Sequence, residues 1–384
     1  MNTRALPPVR RVVSPARGTA QAGHSALMSL SADRGYALFE SGTHALMAIL
    51  QHCRNQAGSG RDRVLLPAYG CPDLVTATLG AGLKPVLVDT AAASWGFDPV
   101  SLQAQADDRA VAIVAVNLLG CGAGLAGIAH IARNCGASVI EDSAQHLPRQ
   151  SGQWSSDYQV LSFGKGKPLN LLGGGAALGL LTSAPAQHAS LRHRLSGSRM
   201  AATVFNVLSH PRIYPWLLHV PGLGVGATVY HAPESLRAAR SSLLPQLGPA
   251  LAGYRAAASY VSSGYAPYFD TWLQWGIRPL SGSVACGTAQ PHEPLRLAML
   301  AANGTQRDAL VAALSAAGLG ATALYQHPLP QISGIPPCVQ SQGPFPNAKA
   351  LADTLFTLPT HRSVNADAVR AIDRCLRQIC PERA

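Results

Sequence analysis

Short apolar runs alternate with segments of helical periodicity along the first half of the chain. Six such runs are mostly hydrophobic and do not alternate with polar residues, at 64–66, 85–89, 111–116, 138–141, 159–163 and 176–181. Continuous rather than alternating hydrophobicity is typical of strands that are covered on both faces, and hence of a largely parallel sheet. Because ligands of such sheets lie beyond the carboxyl ends of the strands, the polar residues after these runs are the first candidates for chemistry.

A second pattern of strands and helices begins at residue 295, after a helical segment at 242–268 that would connect two domains. The predicted elements are strands at 295–300 and 322–325, helices at 307–316 and 348–356, and a last helix, capped by Asn365, that buries Val369, Ile372, Leu376 and Ile379. We therefore predict an α/β protein with a large domain over 26–240 and a connecting helix plus a smaller C-terminal α+β domain over 241–384. Residues 1–25 hold four arginines and three prolines, which predicts a disordered basic arm.

An acid and a lysine follow two neighbouring runs. Asp142 follows the run at 138–141, and Lys167 lies in the glycine-rich turn SFGKGKPLNLLGGG at 162–175. The separation of 25 positions between Asp142 and Lys167 allows a connection and one more strand, so both can reach the same edge. Removal from water favours the neutral, nucleophilic lysine amine, and glycines let a bulky group approach the backbone. This pair suits pyridoxal 5′-phosphate (PLP), which needs a lysine for attachment and an acid to keep its ring nitrogen protonated.

Five segments in order resemble the DegT/DnrJ/EryC1/StrS family of PLP-dependent sugar aminotransferases. They are SGTHAL (41–46), LLPAYGCPDLVTATLGAGLKPVLVD (65–89), EDSAQ (141–145), SDYQVLSF (156–163) followed by Lys167, and FPNAKALADTLFTLPTH (345–361). Each segment alone is a weak signal, but their order is specific. The resemblance implies the fold of type I PLP-dependent transferases, with a mostly parallel sheet between helices in the large domain, and a homodimer.

The resemblance also implies catalytic roles. Lys167 would attach PLP and move the proton during transfer, and Asp142 would pair with the ring nitrogen. Gln145 would reach the ring's phenolic oxygen. Ser162 would bind the cofactor phosphate, because it precedes Lys167 by the family's spacing of five positions. That spacing favours Lys167 over its neighbour Lys165, which stays the alternative.

The helix start and the loop after the second run complete the set of cofactor-binding residues that the resemblance implies. Gly42, Thr43 and His44 open a predicted helix, and a helix start with free N–H groups is a good phosphate site. A plain helix cap is the other interpretation of Thr43. Cys71 falls where the family places an aromatic side chain against the ring, so either Tyr69 takes that place or polar contacts hold the ring.

Two further features depart from the family. Family members have an Asn-Tyr/Phe-Arg motif that reaches the cofactor phosphate of the partner subunit, and this chain lacks the motif. The register of the resemblance indicates only the stretch 237–240 at that place, and no role is assigned to it. An apolar insert at 202–233 precedes that stretch, and its prolines and charges exclude a transmembrane helix. Three interpretations of the insert stay open: an apolar lid over the active site, a dimer-packing arm, and peripheral contact with a membrane or lipid-like substrate through 204–230.

Composition narrows the class of protein. Hydrophobic residues make up 47% and charged residues 13% of the chain, which indicates a globular protein. The eight cysteines form no CxxC pair, so we expect no metal site and reduced thiols in a cytoplasmic enzyme. Residues 1–25 lack the apolar stretch of a secretory signal. The net charge of +11 favours an acidic small molecule over nucleic acid, although it can also serve solubility alone.

The sequence thus predicts a homodimeric PLP-dependent aminotransferase that moves an amino group from an amino acid, glutamate by resemblance, to a keto-sugar that is nucleotide-linked. Such a reaction belongs to surface-polysaccharide or secondary-metabolite biosynthesis. PLP chemistry on an apolar, non-sugar ketone or acyl substrate is a second hypothesis, which the insert favours. A PLP-binding sensor without turnover is the third.

Overall fold

A seven-stranded sheet forms the centre of the large domain. The structure is a computed structural model that describes residues 5–9, 13, 16–147, 156–182, 187–218, 228–256, 262–280 and 294–380. The strands are β1 (Tyr36–Phe39), β2 (Arg63–Pro67), β3 (Lys84–Val88), β4 (Ala110–Val116), β5 (Ser138–Asp142), β6 (Tyr158–Ser162) and β7 (Gly175–Leu178). Their order is β1-β7-β6-β5-β4-β2-β3, and every strand except β7 points in one direction.

The prediction of a largely parallel sheet is confirmed, and each of the six apolar runs contains a strand. The sequence missed β1, a four-residue strand in which buried and half-buried positions alternate. So short a stretch is too brief to show a period. The run at 176–181 extends past its strand, because Gly179 has a φ of +82° and ends β7 at Leu178.

Helices cover both faces of the sheet. The helices of the large domain are α1 (Ala20–Leu30), α2 (Gly42–Gln56), α3 (Asp73–Gly80), α4 (Pro99–Gln105), α5 (Leu125–Cys135), α6 (Leu191–Ser196), α7 (Arg199–Leu208), α8 (Tyr214–Leu218) and α9 (Leu243–Ala256). Alternate strand residues point to opposite faces, so Val114 packs with α2 whereas Ile113 packs with α4 and α5. The pair α1 and α9 covers the β6 and β7 end, around Leu161 and Leu178.

A smaller antiparallel sheet organises the C-terminal part. It contains β8 (Arg278–Pro279), β9 (Arg296–Leu300) and β10 (Leu355–Pro359), in the order β10-β9-β8. Its helices are α10 (Ser262–Tyr265), α11 (Phe269–Gln274), α12 (Gly304–Ala316), α13 (Pro337–Gln340), α14 (Pro346–Thr354) and α15 (Ala366–Ile379). The apolar face of α15 packs against this sheet through Val369, Ile372 and Leu376, as predicted, whereas Ile379 is half-buried.

Two of the predicted C-terminal elements are wrong at their ends. The helix predicted at 348–356 stops at Thr354, and its last two residues begin β10. Both residues are fully buried, and a short apolar run cannot by itself distinguish a buried helix from a buried strand. The strand predicted at 322–325 is reduced to one bridge, between Thr322 and Thr357.

The N-terminal stretch is more ordered than the sequence indicates. Helix α1 begins at Ala20, inside the predicted arm, and its Gly23 lies so close to α9 that a Cβ would meet the backbone of Leu244. Ala5 donates its N–H to the carbonyl of Pro211 at 2.9 Å, and Leu6 donates to that of Gly318 at 2.7 Å. Residues 1–4, 10–12 and 14–15 of the arm lie outside the described part. The domain limits remain predictions.

None of the described helices is both long and apolar enough to cross a bilayer.

Candidate active site

A cavity of about 250 Å³ opens at the carboxyl edge of the seven-stranded sheet. Its walls come from the segments that follow β1, β2, β4, β5 and β6, together with one tyrosine of the C-terminal part. Its polar lining, among the described residues, is Ser41, Thr43, Asp73, Asn117, Asp142, Gln145, Ser162, Lys167 and Tyr325. Apolar walls include Leu46, Leu74, Val116, Leu118 and Val160. The cavity lies where a parallel sheet is expected to bind its ligand.

Asp142 is the buried acid of this cavity. It is the last residue of β5 and pairs with Val116 of β4 and Val160 of β6. Burial raises the pKa of the Asp142 carboxyl, while the N–H of Ala144 at 2.9 Å and the charge of Lys167 act in the opposite direction. Its Oδ2 accepts no hydrogen bond from the described residues. A buried carboxylate with an oxygen to spare favours a cationic or N–H partner in the cavity.

The two lysines of the glycine-rich turn point to different places. Lys167 is half-buried and lines the cavity, whereas Lys165 is exposed and does not line it. The backbone N–H of Lys167 donates to the carbonyl of Gly164 at 3.2 Å. Gly166 has a φ of +73°, a conformation that side chains disfavour, so a glycine is needed to turn the chain there. The structure therefore brings Lys167, and not Lys165, to Asp142.

A cradle of small residues forms where the start of α2 meets the end of β6. The hydroxyl of Ser41 caps α2 by accepting the N–H of His44 at 3.2 Å. A Cβ at Gly42 would lie 2.8 Å from the Cβ of Ser162, so only glycine fits. The first N–H groups of a helix lack intrahelical partners and lie at the positive end of its dipole. This cradle therefore suits a phosphate group.

Of the three residues predicted at the helix start, His44 is not brought into the cavity. Gly42 and Thr43 line it, and the Thr43 hydroxyl donates to Asp73 at 3.1 Å. The His44 side chain is buried elsewhere, and burial lowers its pKa despite the nearby Glu40 carboxylate. Successive side chains on a helix are about 100° apart, which explains why the neighbour of Thr43 faces away. His44 contributes its backbone N–H to the Ser41 cap alone.

Gln145 and Tyr325 form a polar pair on another wall. The Gln145 side chain accepts the N–H of Leu119 at 3.1 Å and donates to the Tyr325 hydroxyl at 3.4 Å. Tyr325 is the aromatic residue of the described lining, whereas Tyr69 is fully buried behind it and donates its hydroxyl to the Tyr325 carbonyl. Tyr69 therefore does not take the ring-facing place. Cys71 does line the cavity, and burial raises the pKa of its thiol to about 12.

Arg240 supports the glycine-rich turn from outside the cavity. Its guanidinium donates to the carbonyl of Gly173 at 3.2 Å and to that of Leu171 at 2.7 Å. It also donates to the Gln246 side chain at 2.9 Å. Burial lowers the pKa of Arg240 to about 10, so it remains a cation at neutral pH. The stretch 237–240, which has no assigned role in the sequence, thus holds the turn that carries Lys167.

Comparison with known families agrees with this geometry. Residues 31–202 match the model of the DegT/DnrJ/EryC1/StrS aminotransferase family. Over this stretch the chain is similar to that family. The match includes α2, the whole seven-stranded sheet from its first strand, and every predicted cofactor-binding residue. Tyr325 lies beyond it.

Solved structures share the family fold over nearly the whole chain. Spr1654 of Streptococcus pneumoniae, named as a sugar aminotransferase and solved in its PLP form, is 17% identical with a TM-score of 0.66, over 98% of each chain. PseC of Helicobacter pylori, an aminotransferase of pseudaminic acid biosynthesis, is 13% identical with a TM-score of 0.63, over 96% of this chain and 99% of that one. The predicted fold of type I PLP-dependent transferases is confirmed.

A curated relative matches over a shorter stretch. A UDP-N-acetyl-3-dehydro-α-D-glucosamine 3-aminotransferase of Acidithiobacillus ferrooxidans is 33% identical over 163 residues, which cover 41% of this chain and 42% of the relative. The chain therefore aligns with less than half the length of this relative.

Three residues of the cavity lining were not predicted from the sequence. Tyr325 is 180 positions from Gln145, and no local pattern links them. Asp73 begins α3, where an acid is typical of any helix start. Asn117 follows β4 and could have been found by the rule that led to Asp142. Its amide donates to the side chains of Glu141 at 2.6 Å and Ser143 at 3.0 Å, so it shapes the strand end.

Proposed function

We propose that this chain is a PLP-dependent aminotransferase that transfers an amino group from an amino acid, with glutamate as donor, to a nucleotide-linked keto-sugar. One observation carries the proposal: Asp142, Lys167 and the cradle of Ser41, Gly42 and Ser162 line the same cavity. Together they offer an acid for a ring nitrogen, an amine for an aldehyde and free N–H groups for a phosphate.

The residues fit the cofactor on two independent grounds. The cradle at Gly42 is a space that a Cβ would fill, and it lies at the positive end of a 15-residue helix. Asp142 lines the same cavity, and burial raises the pKa of its carboxyl, so a positive partner beside it would favour its ionised form. Gln145 and Tyr325 would contribute polar contacts to the ring, and Val160 forms an apolar wall.

Only a few side chains would take part in the proposed reaction. Bound PLP supplies a conjugated ring that takes up an electron pair when the amino-bearing carbon of the donor loses its proton. The Lys167 amine accepts that proton and passes it on within the cavity. The Asp142 carboxylate keeps the ring nitrogen protonated throughout. The two substrates would use one site in turn, which gives ping-pong kinetics.

Charge and family support the proposed acceptor. The matched relative acts on a UDP-linked sugar by its name. The chain carries a net charge of +11, which favours an acidic nucleotide diphosphate. On the same grounds we propose a role in surface-polysaccharide or secondary-metabolite biosynthesis.

A homodimer would supply a missing cation. Lys167 is the one cation in the described lining, whereas Asp73 and Asp142 are acids, so a phosphate dianion needs a further positive group. The family's motif for reaching the partner subunit's phosphate is missing here, so we propose a homodimer in which another residue of the partner subunit supplies this charge. We also propose a cytoplasmic location, in keeping with the free state of the seven described cysteines.

The test begins with the purified protein and PLP. We expect a yellow protein whose absorption band is bleached by glutamate and restored by the right keto-sugar nucleotide, identified by screening. Borohydride reduction followed by peptide mapping should place the label on Lys167. A label on Lys165, or none, would refute the assigned chemistry. Colour that no amino donor changes would support the sensor, and restoration only by apolar ketones would support the non-sugar substrate.

A further inference from the structure

Helix α7 turns its apolar face to solvent. Its exposed residues follow the spacing of one helical stripe and are Met200, Thr203, Val204, Val207 and Leu208. Met200 is 76% exposed, Val204 50% and Val207 48%. A surface helix in a globular protein ordinarily points such a stripe at the core.

The orientation of α7 is fixed by contacts on its other side. The Asn206 side chain accepts the N–H of Val13 and donates to the Val13 carbonyl, both at 2.8 Å. Ala202 is buried on the same side, and the Ser198 hydroxyl caps the helix by accepting the N–H of Ala201 at 3.0 Å. The stripe is therefore held outward by hydrogen bonds at the opposite face.

Two neighbouring helices expose apolar residues as well. Leu191 and Leu195 lie one turn apart on α6 and are 63% and 61% exposed, and Trp216 of α8 is 72% exposed. We name the α6–α8 surface as Leu191, Leu195, Met200, Val204, Val207 and Trp216. Six large apolar residues exposed on three consecutive helices are more than the scattered exposure of an ordinary surface, and favour a binding surface.

The three helices of this surface carry arginines and no acidic residue of their own. No Asp or Glu occurs between Asp157 and Glu234, a stretch that holds six lysines and arginines. Four of them, Arg192, Arg194, Arg199 and Arg212, are exposed on or beside the three helices. A partner that covers this surface must therefore accept apolar side chains and arginines together.

We propose that the α6–α8 surface binds the interface of an anionic lipid bilayer, a partner that goes beyond the proposed transfer reaction. Apolar side chains would enter the boundary of the acyl chains, and the arginines would pair with lipid phosphates. Trp216 suits the headgroup level, where tryptophan is enriched. A second copy of this chain fits less well, since a two-fold contact would set arginines against arginines without a carboxylate between them.

The test compares the full chain, loaded with PLP, on vesicles of phosphatidylcholine alone and of phosphatidylcholine with phosphatidylglycerol. We expect co-sedimentation with the anionic vesicles to exceed that with the neutral ones at least about tenfold, and to fall with salt. The double variant Val204→Ser with Val207→Ser should lower the partition coefficient about tenfold or more. Val100→Ser, which changes a valine on α4 that is 77% exposed, is the control and should leave the partition coefficient unchanged.

Charge and tryptophan give independent readouts. Arg199→Gln should lower the partition coefficient about fivefold. The emission of Trp216, taken as the difference between the wild type and Trp216→Phe, should shift to shorter wavelength on anionic vesicles. Equal binding to neutral vesicles, or no effect of the double valine variant, would overturn the proposal. So would a double valine variant that turns a dimer into a monomer in sedimentation while the wild type ignores both vesicles.

Discussion

Globular proteins usually bury apolar side chains and leave charged groups in water. The candidate active-site cavity and the α6–α8 surface depart from this rule in opposite ways. The cavity withdraws the Asp142 carboxylate from water, and the surface leaves Met200 and Val207 in water. Both placements are unfavourable in the isolated chain, and both are held by contacts behind them. The comparison teaches that a group in the wrong medium can mark the place of a partner, and the partners we propose are a cofactor in one region and a lipid surface in the other.

The contacts that hold Asp142 and helix α7 in place are of different kinds. Asp142 is fixed by strands on both sides, so its position is set by the sheet that folds the large domain. Helix α7 is fixed by one asparagine that grips the backbone of Val13, far from it in sequence. The cavity is thus part of the core of the large domain. The α6–α8 surface lies outside that core and is held by the hydrogen bonds of Asn206. Changes in the cavity should act on chemistry, and changes on the surface should act on neither chemistry nor folding.

Lys167→Ala should give the largest effect. Loss of the amine that attaches the cofactor and carries the proton should lower kcat at least about a thousandfold. Lys165→Ala removes the same group two residues away, at an exposed site outside the cavity, and should keep near wild-type kcat. Steady-state transamination with glutamate measures both. Similar losses in the two variants would show that the turn, and not the position of the amine, decides activity.

Asp142→Asn should separate activity from stability. Removal of the charge that faces the ring nitrogen should lower kcat about a hundredfold or more, the size typical of a preorganised electrostatic partner. Burial raises the pKa of Asp142, so its ionised form opposes folding at neutral pH. Cofactor-free Asp142→Asn should therefore be at least as stable as the wild type at pH 7.

The pH dependence of that difference has a definite sign. The folded state binds the Asp142 proton more tightly than the unfolded state, whose pKa is about 3.9. The destabilisation by the ionised carboxylate should shrink as the pH falls through the raised folded pKa. Denaturant unfolding of both proteins from pH 8 down to about pH 4, near the unfolded pKa, measures the difference in unfolding free energy, which should narrow toward acid. A widening difference would mean that Asp142 stabilises the fold instead.

The sequence predicted the sheet, and three of its candidate site residues line one cavity, for a physical reason. Strands buried on both faces must be continuously apolar, and residues after them must meet at one edge, so Asp142, Ser162 and Lys167 could be placed without coordinates. Which side chains of a helix start face the cavity depends on rotation about the helix axis. The sequence does not give this rotation, so it could not show that the His44 side chain lies outside the cavity lining.

Contacts between residues that lie far apart in the chain could not be predicted from the sequence. Tyr325 reaches the cavity from the C-terminal part, and Tyr69 is turned away from it by its hydrogen bond to the Tyr325 carbonyl. The apolar character of the insert was visible, but the direction of its stripe was not. That direction depends on Asn206 and Val13, whose separation of 193 positions leaves no local signal.

Tyr325→Phe should have a smaller effect than either change at Lys167 or Asp142. It removes the hydroxyl that receives the Gln145 amide at 3.4 Å, a long hydrogen bond, and keeps the ring in place. We expect kcat/KM to fall between about threefold and tenfold, the size of one neutral hydrogen bond. Tyr69→Phe is the control, since its hydroxyl lies behind the cavity and should affect unfolding free energy more than kcat. The opposite ranking of the two variants would move the site's aromatic contact to Tyr69.

Val207→Ala should have the smallest effect of all. The valine is about half exposed on the outward stripe of α7, so its truncation should change the unfolding free energy by less than about 0.5 kcal/mol. Val369→Ala makes the same change on α15, whose stripe is buried at 3% exposure, and should lower the unfolding free energy by about 1.5 kcal/mol or more. Both are measured by denaturant unfolding in the absence of lipid. A loss at Val207 as large as that at Val369 would mean that α7 is already covered, by a second copy of the chain, and the contrast between the two regions would disappear.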